Sequence, residues 1–166
     1  VKQFLPPYIA IPALCSLDQH FYIDKEMRAY KGSWEKLIIE ALNKLGKDSF
    51  KKRKFKVNSQ DFELDGASPL TGEILFGVDV KRIEARRDLH KRCDEILNKV
   101  AKFKNAFPNA KFGAVVYFPF VEDQLTIQKR LTSSILDCVV FAGSSVDSIE
   151  NAVRTLLLEC NYAKDA

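Results

Sequence analysis

Trp34, Leu37, Ile38, Ala41, Leu42 and Leu45 recur at intervals of three and four, the spacing that lines one face of an α-helix. The pattern predicts a helix over 33–45, with Ser33 as its cap and Gly46 as its end. Residues 50–66, "FKKRKFKVNSQDFELDG", alternate instead. Phe62 and Leu64 face one way, and Asp61, Glu63 and Asp65 the other. "ASPLTG" reads as a turn, and "EILFGVDVKRI" as the next strand, antiparallel to the one before it. A helix is expected from about Arg86 to Phe107, with Leu89, Cys93, Ile96, Val100 and Phe103 as its buried stripe and Pro108 as its stop. "KFGAVVYFPF" and "ILDCVVFAG" are apolar throughout, the mark of strands covered on both faces. "EDQLTIQKRLTSS" lies between them as a shorter helix, and "VDSIENAVRTLLLEC" closes as a helix capped near Asp147.

The resulting order, α, β, β, β, α, β, α, β, α, predicts an α/β fold with a mixed sheet and helices on both faces. Residues 1–30 carry three prolines and little periodicity, so an irregular N-terminal segment is expected there, followed by one domain over 31–166. A chain of 166 residues is long enough to bury a core without staples.

Four cysteines, Cys15, Cys93, Cys138 and Cys160, form no CxxC pair, which argues against zinc. Cys93 and Cys138 read as buried free thiols, in keeping with a reducing, cytoplasmic setting. No apolar run is long enough to span a membrane. His20 and His90 have no partner at ligand spacing, and no phosphate-cradling glycine loop is present. Tyr117, Phe118 and Phe120 read as core. The net charge of +4 permits an anionic partner, and the basic residues cluster in "KKRKFK" and "KRIEARRDLHKR".

Asp79 and Lys81 are the unusual residues. Two apart on a strand, they share a face, while Val78 and Val80 point into the opposite layer. If Asp65 lies on the adjacent strand, its carboxylate converges with that of Asp79. Two carboxylates and the Val80 carbonyl make a hard-oxygen site suited to Mg²⁺, which keeps several waters. Asp61 or Glu63 replaces Asp65 if the register is shifted. Lys81 would stand beside the metal to orient a water or stabilise charge on a phosphate.

"ELD" (Glu63 to Asp65), a turn, then "VDVK" (Val78 to Lys81) resembles the PD-(D/E)xK nuclease superfamily, which includes restriction endonucleases and Holliday-junction resolvases. The resemblance covers roughly Ser33 to Ala142. It implies a restriction-endonuclease-like mixed sheet with an αβββαβ core and Mg²⁺- or Mn²⁺-dependent hydrolysis of DNA. It also implies a homodimer. Asp65 and Asp79 would bind metal with Val80, and Lys81 would serve catalysis. A first-helix glutamate, Glu35 or else Glu40, would complete the site. Lys52, Arg53, Lys54, Arg82, Arg86 and Arg87 would contact DNA backbone. A restriction-type enzyme is the first expectation, with a junction resolvase or repair nuclease as the alternative. From another class comes a non-catalytic nucleic-acid-binding module of the same fold.

Overall fold

The computed structural model describes residues 11–132 and 135–164. The chain divides into two compact units, Val1–Trp34 and Glu35–Ala166. Helix α1 spans Ile11–Leu45. This corrects the expected irregular segment over its described part, because residues 11–32 are helical; residues 1–10 lie outside the described residues. Pro12 falls in the first turn of α1, where its missing N–H has no intrahelical acceptor to lose. Ser33 is therefore inside a helix and not its cap. The expected end does hold: α1 stops at Leu45, and the Gly46 N–H closes on the Leu42 carbonyl at 2.8 Å. A Cβ on Gly46 would meet that carbonyl oxygen at 2.6 Å, which makes glycine the fitting residue at this turn.

In the second unit, β1 (Lys51–Val57), β2 (Gln60–Ser68) and β3 (Phe76–Arg82) form an antiparallel meander. A short 3-10 turn, Arg86–Asp88, leads into α2 (Leu89–Ala106). Strand β4 (Lys111–Tyr117) then joins β3 in parallel. A second 3-10 turn, Val121–Asp123, precedes α3 (Gln124–Leu131), and β5 (Cys138–Phe141) joins β4 in parallel. The chain returns through α4 (Val146–Glu159). The protein is thus a mixed α/β fold around one five-stranded sheet of order β1-β2-β3-β4-β5. Among the described residues, no helix is long and apolar enough to cross a membrane.

Alternation along the central strands assigns the two layers. Phe112, Ala114 and Val116 of β4 join Leu89, Cys93, Ile96, Val100 and Phe103 of α2 in one core, capped by Ile127 and Leu131 of α3. The α2 stripe is the one read from the sequence. Gly113, between those β4 residues, faces the other way, where an added Cβ would meet Leu156 of α4 at 2.6 Å. That second layer also holds the Glu35–Leu45 part of α1: a Cβ on Gly66 of β2 would meet Ile39 at 3.1 Å and Val78 at 3.6 Å.

One further expectation changes. Strand β5 lies at the sheet edge, and only Val140 of its four residues is fully buried, so it is not covered on both faces. The cap of α4 falls near Asp147, as expected: it is Ser145, whose hydroxyl accepts from the Ser148 N–H.

Candidate metal and charge site at Asp79

Strand β3 is buried from Phe76 to Val80 and opens to half-burial at Lys81 and Arg82. Asp79 sits inside the buried run and is 0% exposed. It faces α2, as does Lys81. Helix α2 meets this pair with Glu95 and Lys99, one turn apart beside its apolar stripe. Lys99 Nζ bonds to Asp79 Oδ1. Lys81 Nζ lies 3.7 Å from Asp79 Oδ2 and 3.6 Å from Glu95 Oε2. Arg92, one turn earlier, holds the same Glu95 oxygen at 2.9 Å.

Asp65 enters from β2 by a local irregularity. Between Lys51↔Ala67 and Arg53↔Leu64 the register shifts, so β2 carries one extra residue there, at Asp65 and Gly66. The β2–β3 ladder begins at Ser68↔Phe76 and stops at Gly66↔Val78. Past that point the Asp65 carboxylate takes the place of a ladder partner, and the Val80 N–H donates to its Oδ2 at 2.9 Å. Asp65 is thereby anchored to the amide that follows Asp79. Neither alternative acid takes that place: Asp61 is exposed and 3.7 Å from Lys56, and Glu63 pairs with Lys52 at 2.9 Å.

The electrostatics follow from burial. Burial pushes the Asp79 carboxyl up to about 6, and the Asp65 charge adds to this, against the downward pull of Lys99 and Lys81. Burial works against the Lys99 ammonium, yet Asp79 outweighs it and holds that lysine above its ordinary range. Asp79 Oδ2 is buried without a hydrogen-bond partner, an arrangement that native interiors rarely tolerate.

A pH dependence follows. The folded value of about 6 exceeds the ordinary 3.8, so the folded state holds this proton more tightly than the unfolded chain does. The stabilisation is complete below about pH 4 and is lost as pH rises through 6, a difference of roughly 3 kcal/mol at most. In metal-free buffer, the wild type is expected to gain thermal stability on Asp79→Asn as pH falls from 7 to 5. Parallel melting profiles for the two proteins would remove the argument.

The other sequence-assigned residues fall in different places. Glu35 is half-buried on α1. The Lys52 ammonium, raised first by its hydrogen bond with Glu63, also feels the charges of Asp65 and Glu35. Glu40 lies elsewhere, lining a groove with Lys44 and with Val146, Ile149 and Glu150 of α4. Among the basic residues, Arg53 donates to the carbonyls of Pro69 and Gly72, both at 2.7 Å, and so ties down the β2–β3 turn. Arg82 stacks over the Tyr117 ring at 3.9 Å and pairs with Glu84. Arg86 stacks over Phe120 at 4.1 Å and pairs with Asp123 and Glu122. Lys54 and Arg87 are exposed.

Glu95 and Lys99 were not among the residues assigned from sequence. Their i, i+4 spacing of opposite charge flanking an apolar stripe is the only signal, and a solvated helix pair gives the same one.

Among the described residues, no group of three or more His, Cys, Asp or Glu gathers as a metal cage. The donor set is instead two carboxylates, one with a buried oxygen that has no hydrogen-bond partner. That set fits a hard divalent ion such as Mg²⁺, which keeps most of its waters. No protein-family model, curated protein or solved structure matches this chain.

Proposed function

We propose that the chain is a metal-dependent DNA endonuclease of the PD-(D/E)xK type, with a restriction-endonuclease-like fold. The observation that carries this reading is the buried Oδ2 of Asp79, which has no hydrogen-bond partner, beside the anchored carboxylate of Asp65. A buried anionic oxygen is costly unless a ligand completes it, and a divalent cation is the natural one. The element order α1, β1, β2, β3, α2, β4 agrees with an αβββαβ core.

In this reading Asp65 and Asp79 hold Mg²⁺ or Mn²⁺, with the Val80 carbonyl as a third ligand. When bound, the ion supplies charge neutralisation at the scissile phosphate and acidifies a water. Lys81, 3.7 Å from Asp79, adds positive charge where the phosphate accumulates negative charge. Glu35 supports the site from α1. Lys54 and Arg87, both exposed, contact phosphates as a salt-sensitive, sequence-independent grip. Cutting both strands calls for a homodimer. A restriction-type enzyme is the first choice, with a junction resolvase or repair nuclease as the narrower alternative, and the cytoplasm as its setting.

One observation favours a second reading, a non-catalytic nucleic-acid-binding module: Lys99 already supplies a cation to Asp79 Oδ1. A single experiment separates the two. The purified protein is incubated with plasmid, four-way junction and single-stranded DNA, in Mg²⁺, Mn²⁺ or EDTA, beside Asp79→Ala. Cleavage that needs metal and disappears in the variant is expected. DNA binding without cleavage of any substrate would replace the nuclease with the binding module.

A further inference from the structure

Strand β5 starts at Cys138, and α4 runs back beside it to end at Glu159. The connection returns Cys160, the residue after the helix, to the level of Cys138. Cys138 pairs with Gly113 of β4, Leu156 of α4 packs over Gly113, and the Cys160 N–H bonds to the Leu156 carbonyl at 3.1 Å, so the two thiols come within hydrogen-bonding reach of each other. Cys160 is 2% exposed. Cys138 is half-buried and lines an open groove of about 310 Å³, together with Gln128, Asp137, Thr155 and Glu159. Among the described residues, no strand follows β5 in the order of the sheet, so the groove lies at the sheet edge. One accessible sulfur with a second, sheltered sulfur behind it is the arrangement that two-step thiol oxidation requires.

We propose that Cys138 and Cys160 form a reversible dithiol–disulfide site, oxidised by a hydroperoxide that enters the groove at Cys138. The Cys138 thiolate attacks the outer oxygen of the peroxide. The O–O bond breaks, the departing alkoxide or hydroxide takes a proton, and Cys138 becomes a sulfenic acid. The Cys160 sulfur then attacks the Cys138 sulfur. An S–S bond forms and the S–O bond breaks, and hydroxide leaves with the Cys160 proton as water. The two thiols supply the two electrons that reduce the peroxide. The hydrogen bond from Cys160 favours this order, since it lowers the Cys138 thiol below its ordinary value and raises Cys160 well above it. The inference stands apart from the nuclease reading, because it uses the opposite end of the sheet from β1 and β2.

The test is peptide mapping of the whole chain after stoichiometric hydrogen peroxide, without reduction. A Cys138–Cys160 linked peptide is expected, with loss of both thiols and their recovery on treatment with dithiothreitol. Cys160→Ser is expected to accumulate a dimedone-reactive sulfenic acid on Cys138, and Cys138→Ser to give none on Cys160. The idea is overturned if Cys138 and Cys160 both stay alkylatable while peroxide oxidises Cys93 or Cys15, or oxidises no thiol at all. The wild-type map decides this alone, so a variant that folds poorly does not blunt the test.

Discussion

In the proposed nuclease, replacing Lys81 with methionine is expected to slow metal-dependent DNA cleavage by about 10²–10³-fold, while leaving Mn²⁺ affinity nearly unchanged. Asp79→Asn is expected to lose both. The distinction rests on where each side chain acts. Asp79 provides a buried oxygen without a hydrogen-bond partner, which the proposed metal ion would complete. Lys81 provides charge near that oxygen without ligating anything itself, at 3.7 Å. A rate loss of that size corresponds to roughly 3–4 kcal/mol of transition-state stabilisation, plausible for a preorganised ammonium facing a developing phosphate charge. The fold should survive the change, because Glu95 keeps Arg92 at 2.9 Å when Lys81 is gone. Rates at saturating metal and a direct Mn²⁺ titration separate the two effects. Lys99→Met belongs in the same series, since Lys99 also touches Asp79. Full activity in Lys81→Met with loss in Lys99→Met would move the catalytic lysine from β3 to α2.

That ambiguity marks where the sequence stops being readable. Asp79 and Lys81 share a face because strands alternate, a property of neighbouring residues, and the structure keeps them together. Which helix residues meet that face depends on how α2 lies over β3, and no local pattern encodes that. Glu95 and Lys99 flank the buried stripe as ordinary charged residues do. Only packing turns Lys99 into the partner of a buried acid.

Asp65 shows a second limit. Alternation placed it with Asp61 and Glu63, but the extra residue at Asp65 and Gly66 breaks the pleat. The break is what lets its carboxylate reach the Val80 N–H. Helix α1 shows a third: Gly32 and Ser33 carry the chemistry of a helix start, yet they lie inside Ile11–Leu45. Strand β5 shows a fourth, because an apolar strand at the sheet edge and one at its centre look alike until the strand order is known.

Phe103→Ala is expected to destabilise the second unit by about 3–5 kcal/mol. Phe103 is 0% exposed and lies on α2 one turn beyond Lys99. Its ring meets Phe55 of β1 at 5.8 Å, Phe107 at 5.3 Å and Phe112 of β4 at 5.1 Å. It also covers Gly77 of β3 so closely that an added Cβ would stand 3.0 Å from the ring. One side chain therefore joins the basic hairpin, the Asp79 strand and β4. Truncation leaves a void that these rings cannot all close, since Phe55 and Phe112 are each held by their own strand. In a protein of this size, roughly 2–4 °C of melting temperature accompanies each kcal/mol, so a drop of about 6–20 °C is expected by calorimetry or circular dichroism. A smaller companion loss for Phe103→Leu would identify the cause as lost volume, whereas equal losses for both would point to the aromatic geometry. A melting temperature unchanged in Phe103→Ala would contradict the placement of α2 over the sheet, and with it the meeting of Lys99 and Asp79.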